Sequence, residues 1–239
     1  MKDFIENNLK KPKIVQTINK VINANKIFQI FNMKSRITLK LNLPNELIGQ
    51  SVYILNNYID FSNEELNEDN IELEINGEKT SFCKSFIPKI NKNEIIIKFK
   101  NNITNCSYMF YNCSNIDEID LSKFKSKTVN NMEKMFSFCT NLKILDLSSL
   151  NTDNVKNMEY MFFMCSNLEY IKIKNLGNKE TKMNNIFFNC DNLKAIDLTS
   201  YDQFSYFDIR YLLKHINIDK LEKIVVKKNL KKDFFLNFL

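Results

Sequence analysis

Met109-Phe110-Tyr111-Asn112-Cys113-Ser114-Asn115-Ile116 recurs as Met135-Phe136-Ser137-Phe138-Cys139-Thr140-Asn141-Leu142. It returns as Met161-Phe162-Phe163-Met164-Cys165-Ser166-Asn167-Leu168, and again as Ile186-Phe187-Phe188-Asn189-Cys190-Asp191-Asn192-Leu193. The four cysteines, Cys113, Cys139, Cys165 and Cys190, are 26, 26 and 25 residues apart. Each copy runs on into a strand-like triplet: Ile119-Asp120-Leu121, Leu145-Asp146-Leu147, Ile171-Lys172-Ile173 and Ile196-Asp197-Leu198. A fixed period of this size marks a stack of coils, because one copy cannot bury its own apolar residues and must pack on its neighbours.

Within a copy, Val129, Met132, Met135 and Phe136 fall at i, i+3, i+6 and i+7. That spacing predicts a helical turn on the face opposite the strand. A period of 25–26 lies in the range of leucine-rich repeats. The expected fold class is therefore α/β: a leucine-rich-repeat solenoid with short parallel strands on one face and helical turns on the other, preceded by a small α+β N-terminal domain. Three structural ladders follow from stacking. Phe110, Phe136, Phe162 and Phe187 fill equivalent interior slots, and a fully buried Phe or Leu contributes roughly 1.5–3 kcal/mol. Cys113, Cys139, Cys165 and Cys190 read as small buried thiols along one flank. Asn115, Asn141, Asn167 and Asn192 sit where the chain turns into the strand, and an amide there can satisfy turn backbone groups.

Strand side chains alternate, so the residues between the buried apolar ones point outward. Stacking predicts a first outward row of Glu118, Ile144, Tyr170, Ala195 and Lys223, and a second of Asp120, Asp146, Lys172, Asp197 and Val225. The third row is Ser122, Ser148, Lys174, Thr199 and Lys227. Asp120 is expected beside Asp146 as a like-charge pair, with Lys172 bridging Asp146 and Asp197. The candidate partner-binding face is Glu118, Asp120, Ile144, Asp146, Tyr170, Lys172, Lys174 and Asp197. Its centre is the third copy, which departs most from its siblings, and Tyr with flanking charges suits a binding centre.

Asn131-Met132-Glu133-Lys134-Met135-Phe136 through Leu145-Asp146-Leu147-Ser148 resembles the BspA-like leucine-rich repeats of bacterial and protist surface proteins. The likeness covers about residues 101–201. It implies a solenoid used for binding or adhesion, without catalytic activity, and a cell-surface setting. Copies in that family often carry Gly just before the Cys, where this chain has Asn112, Phe138, Met164 and Asn189.

Outside the repeats, Ile14, Ile18, Val21, Ile22, Phe28 and Phe31 alternate with Lys and Asn, which predicts an amphipathic helical region over residues 1–35. Residues 36–94 read as the small N-terminal domain, with strands over 36–43 and 51–55. The hairpin 71–82 turns on Asn76-Gly77, a pair suited to a type I′ turn. Residues 95–201 hold about four coils, entered by a strand over Ile95–Phe99. Residues 202–239 supply a degenerate fifth coil strand at Leu221–Val226 and a cap ending in Phe234-Phe235-Leu236-Asn237-Phe238-Leu239.

Composition narrows the function. The 239 residues include 37 Asn, 32 Lys and 29 Ile against 3 Gly, 2 Arg, one His and no Trp. Part of the Asn is positional, at the four ladder sites, and the rest of the excess fits AT-rich codons. Twenty Phe and a 44% hydrophobic share mark a folded chain, since disordered chains are poor in such residues. So few glycines argue against phosphate-binding loops, which need them clustered. With Arg36 and Arg210 alone, sequence-specific nucleic-acid readout is not expected. His215 matches no triad or metal spacing, and no Cys-x-x-Cys occurs, so neither an enzyme nor a cofactor or metal is expected. The N-terminus shows no apolar secretory core, and no apolar run is long enough to span a bilayer, so the expectation is a cytoplasmic protein. The favoured reading is a monomeric, non-enzymatic module that binds a protein partner through the strand face. The alternative is a membrane- or surface-associated adhesion protein that uses its lysine-rich segments, among them Lys227, Lys228, Lys231 and Lys232.

Overall fold

A computed structural model describes residues 35–56, 63–174, 176–177, 180–197, 216 and 218–225. The chain divides into two units, Met1–Lys34 and Ser35–Leu239. The amphipathic segment of the first unit lies outside the described residues, as do His215 and the terminal Phe234–Leu239 run. The described strands are β1 (Arg36–Asn42), β2 (Val52–Tyr53), β3 (Ile71–Ile75), β4 (Glu78–Thr80), β5 (Ser85–Phe86), β6 (Lys92–Phe99), β7 (Glu118–Asp120), β8 (Ile144–Asp146), β9 (Tyr170–Lys172), β10 (Ala195–Asp197) and β11 (Lys223–Val225).

The alternation in β1 buries Ile37, Leu39 and Leu41 and leaves Lys40 in solvent, the period-two pattern of a half-buried strand. β1 lies between β6 and β7 and is antiparallel to both. β3 pairs with β6 on its other side and turns tightly into β4. Asn76 and Gly77 both take positive φ, 54° and 85°, the geometry of a type I′ turn. The resulting sheet has the order β4-β3-β6-β1-β7. β2 and β5 make a separate two-stranded ribbon.

The remaining strands, β8 to β11, form a parallel sheet in which Ile144, Tyr170, Ala195 and Lys223 lie in one row. Asp146, Lys172, Asp197 and Val225 lie in the next. Between strands, each coil returns through a run of hydrogen-bonded turns. Alternate N–H groups there point at the next coil: Cys106, Tyr108, Phe110 and Asn112 donate to the carbonyls of Asn131, Glu133, Met135 and Ser137 at 2.8–2.9 Å. The N–H groups between them close turns on their own coil, as Met109 does to Cys106 and Tyr111 to Tyr108. From β8 onward the stack is thus hydrogen-bonded from coil to coil on both faces, whereas β7 of the first coil pairs with β1 instead of β8.

This finding overturns the expected α/β fold with helical turns and an α+β N-terminal domain. Among the described residues the only helices are two three-residue 3-10 segments, Asn45–Leu47 and Ile218–Lys220, and the fold is nearly all β. The reason is local. Each copy carries two residues in the left-handed region, Tyr108 and Asn112, Lys134 and Phe138, Tyr160 and Met164, Asn185 and Asn189, with φ of 51–62°. A right-handed helix cannot pass through such residues. The i, i+3, i+6, i+7 spacing persists because a tandem of three-residue turns also brings every third side chain inward.

One core runs through the sheet and the coils. It joins Ile37, Leu39, Ile95 and Ile97 to Phe110, Phe136, Phe162, Phe187 and Ile196. Since β7, the strand of the first coil, pairs with β1, residues 36–99 and the first coil share one sheet, while β8 to β11 form another.

Candidate functional site

The outward face of the parallel sheet is built around β9. Tyr170 is half-buried between Ile144 of β8 and Ala195 of β10, and its hydroxyl donates to Asp197 Oδ2 at 2.9 Å. Burial first, and Asp197 second, raise the Tyr170 phenol to about 12. In the second row, Lys172 Nζ lies 3.8 Å from Asp146 Oδ2. Lys172 therefore leans to Asp146, and the Asp197 carboxylate takes the tyrosine hydroxyl in place of a bridging lysine. Asp146 Oδ1 also accepts the Ser148 N–H at 2.8 Å, which ties the loop after β8 to the strand. Ile144 leaves 63% of its surface in solvent beside Tyr170, an apolar spot on a charged face.

The raised phenol has a measurable consequence. A folded value of about 12 against the ordinary 10 means that Tyr170 holds its proton as pH rises past 10. The linked stability is complete below that point and is lost as pH climbs toward the folded value. In an alkaline absorbance titration, Tyr170→Phe should remove a late-ionising phenol and leave the earlier ones unchanged; loss of an early one contradicts the geometry. Among the described residues, Tyr108 is also raised to about 12 and remains as a late group in that variant.

Not all of the expected face is brought together. Ile144, Asp146, Tyr170, Lys172 and Asp197 share one sheet, and Lys174 is exposed just past β9. Glu118 and Asp120 sit on β7, in the other sheet, opposite Lys40 and Thr38 of β1. Lys40 Nζ donates to Glu118 Oε2 at 2.5 Å. Asp120 accepts the Ser122 N–H at 2.8 Å, and hydrogen bonding from Ser122 holds its carboxyl below the ordinary value. Thr199 and Lys227 of the third row lie outside the described residues.

The ladders are interior. Phe110, Phe136, Phe162 and Phe187 stack with centroids 5.6, 5.7 and 5.2 Å apart and planes within 16°. Each following thiol reaches back one coil. Cys139, Cys165 and Cys190 Sγ donate to the carbonyls of Phe110, Phe136 and Phe162 at 3.2, 3.0 and 2.9 Å. Cys113, in the first coil, turns to its own Tyr111 carbonyl at 3.8 Å. Burial pushes all four thiols well up, away from the thiolate that nucleophilic or metal chemistry requires. No group of three or more His, Cys, Asp or Glu among the described residues is placed to hold a metal ion. Of the asparagines, Asn192 Nδ2 donates to the Ser166 carbonyl of the coil before at 2.7 Å, and the Asn141 N–H donates to Ser114 at 3.3 Å. Asn115 and Asn141 are half-buried, whereas Asn167 is exposed.

The model of the family described as Mycoplasma protein of unknown function, DUF285, matches residues 80–201, just over half of the chain. The chain belongs to that family. No curated protein and no solved structure matches it. The DUF285 span begins in β4, ahead of the first repeat, and takes in β6 and the strands β7 to β10.

Within the DUF285 span lie features that the repeat reading passed over. Asn105, Asn131 and Asn157 form a bridge ladder ending at Lys182. Each asparagine Oδ1 accepts the N–H two residues on, from Ser107, Glu133 and Glu159, at 2.9–3.0 Å. Asn before Met in two copies was the available signal. On the turn face, the rings of Tyr111, Phe138, Phe163 and Phe188 touch in sequence at 5.5, 5.3 and 5.7 Å. Phe138 stands one position later than the others and spans the gap left by buried Ser137. Lys134 Nζ is held over the rings of Tyr108 and Tyr160, at 5.2 and 5.5 Å. Among the described residues, no helix is long and apolar enough to cross a membrane.

Proposed function

We propose that the chain is a non-enzymatic interaction module whose β8–β10 face binds a protein partner, centred on Tyr170, Lys172 and Ile144. The observation that carries this reading is the fixed presentation of Tyr170. Its hydroxyl is held by Asp197 while exposed Ile144 lies beside it in the same row. An aromatic anchor already locked in one geometry loses little side-chain entropy on binding, and Tyr is among the residues that dominate interface energetics. Lys172 and Asp146, paired at the rim, suit charge selection of a partner. The resemblance of the repeats to the BspA-like family, with its binding and adhesion roles, points the same way. Glu118 and Asp120, on the neighbouring sheet, are peripheral to this centre.

Because residues 36–99 share a sheet with the first coil and a core with all of them, the test uses the full chain with point variants. Immobilised wild-type chain should capture a partner from a lysate of the native cells. Tyr170→Ala with Lys172→Ala should weaken that capture by about 30-fold, the loss of one hot spot of about 2 kcal/mol. Phe188→Ser, on the turn face, should leave it intact. Undiminished capture by the double variant, with its fold retained, refutes the assignment.

A further inference from the structure

Five large apolar side chains are exposed among the described residues, and three of them, Tyr53, Ile87 and Ile90, lie in the β2–β5 ribbon or in the loop that follows it. In the β2–β5 ribbon, Val52 pairs with Phe86 and Tyr53 with Ser85. Alternation therefore puts Ser51, Tyr53, Ser85 and Ile87 on one side, and Ser51 Oγ meets Ser85 Oγ at 3.0 Å. Ile87 is 64% exposed and Ile90 53%, yet Pro88 between them is buried.

The loop that carries them is pinned along its backbone. The Pro88 carbonyl accepts the Gly49 N–H at 3.0 Å, and the Ile90 carbonyl accepts Asn93 Nδ2 at 2.7 Å. The Asn91 carbonyl accepts the Leu43 N–H at 2.8 Å, while Asn91 Nδ2 returns to the Leu43 carbonyl at 2.9 Å. Asn93 itself is buried. Two isoleucines are thus displayed to solvent by a loop whose proline and asparagine anchors hold it down.

Charge is segregated along this part of the sequence. From residue 41 to residue 78 the chain has nine acids and no base; from 79 to 93 it has Lys79, Lys84, Lys89 and Lys92 and no acid. Lys89 and Lys92 are exposed, Lys89 between the two isoleucines. Acids flank the loop as well: Glu46 is on the adjoining 3-10 segment, which Asn91 Nδ2 joins through Asn45 Oδ1, and Lys92 lines a cavity with Glu94, Asp117 and Glu118. Two isoleucines and a tyrosine are too little surface for a stable protein interface, which needs about 800 Å² on each side. An exposed apolar pair accompanied by the exposed Lys89 and Lys92 does match the two-part requirement of reversible bilayer docking, a little apolar insertion plus attraction to anionic headgroups. Tyr53, 38% exposed beside the isoleucines, has the amphipathic ring favoured at the headgroup level.

We propose that the Ile87–Ile90 loop is a membrane-docking tip, in which Ile87 and Ile90 enter the acyl boundary of an anionic bilayer while Lys89 and Lys92 pair with its headgroups. The residues of this surface are other than those of the Tyr170 face and of the lysine-rich terminal segments.

The chain has no Trp, so Ile87→Trp places a single indole at the tip. With vesicles of phosphatidylcholine and phosphatidylglycerol, its emission should shift to the blue, and with phosphatidylcholine alone it should not. Ile87→Ser with Ile90→Ser should weaken binding of the full chain to the anionic vesicles, read by sedimentation, by about 100-fold, since each buried Ile counts for about ten-fold. Lys89→Glu with Lys92→Glu should do the same at low salt. These side chains are exposed, so the variants should unfold at the wild-type denaturant concentration, which separates loss of docking from loss of fold. Unshifted indole emission, or wild-type sedimentation by the Ser pair, overturns the proposal; binding carried by the terminal lysines or by another protein would take that form.

Discussion

Phe136→Ala should destabilise the full chain by about 3–5 kcal/mol in urea unfolding, among the largest single losses available in this fold. Phe136 is fully buried and has a ring on each side, Phe110 at 5.6 Å and Phe162 at 5.7 Å. Truncation removes the transfer free energy of the ring and leaves a cavity between two coils. The coils cannot close over it, because coil-to-coil hydrogen bonds fix their spacing at this point: Phe110 N–H donates to Met135 and Phe136 N–H to Met161, at 2.9 and 3.0 Å. The thiol of Cys165 is bound to the Phe136 carbonyl, a backbone atom, so its hydrogen bond does not depend on the ring. Phe136→Leu keeps most of the volume and should cost under about 1.5 kcal/mol. A loss below about 2 kcal/mol for the alanine variant, with an unchanged urea dependence, would show that the stack relaxes and that the ladder is not a rigid column.

Gly177→Ala should cost about 2–4 kcal/mol by the same measurement, from a side chain of one carbon. Gly177 has φ of 72°, and a Cβ placed on it would collide with Thr181 Oγ1 and lie 2.6 Å from the Cβ and Cγ2 of that side chain. Thr181 cannot turn aside without loss: it is buried, and its hydroxyl donates to the Val155 carbonyl at 2.6 Å. The Gly177 N–H is engaged as well, donating to Thr152 Oγ1 at 3.0 Å. Gly77 is the control. Its φ is 85°, but nothing lies within 4 Å of the added carbon. Gly77→Ala should therefore show only the left-handed backbone penalty, about 1–2 kcal/mol. Equal effects at the two sites would mean that Thr181 yields freely and that backbone strain alone accounts for both.

The four repeats were legible because their interior demands are rigid. Period and alternation put Phe110, Phe136, Phe162 and Phe187 in one column, and they placed Ile144, Tyr170 and Ala195 abreast, which is the register of β8, β9 and β10. The helical turns were misread for a physical reason. Inward spacing of three and four is shared by a helix and by a tandem of turns, and what separates them is the sign of φ at Lys134 and Phe138. A Phe or Lys gives no warning of left-handed backbone, as Gly or Asn would. Asn112, Phe138, Met164 and Asn189, the residues just before the four ladder cysteines, all have positive φ, a backbone that glycine adopts without strain.

Other features depend on partners far away in the chain. Nothing local to Glu118-Ile119-Asp120 says that it will add to β1, 78 positions earlier, and not to the strand one repeat on. Only the packing of β1 against β6 creates the open edge that β7 completes. The Tyr170–Asp197 hydrogen bond likewise needs the coils at their true spacing, and it redirects Asp197 from the lysine to the phenol. The Ile87–Ile90 tip reads in sequence as two apolar residues among lysines, fit for a core; the buried Pro88 and Asn93 turn them outward. Repetition, burial period and the Asn76-Gly77 turn are written into adjacent residues, where short-range sterics and the need to hide apolar side chains act alone. Sheet membership, backbone handedness and the surfaces left for binding came from contacts between distant segments, which settle only when the whole core closes.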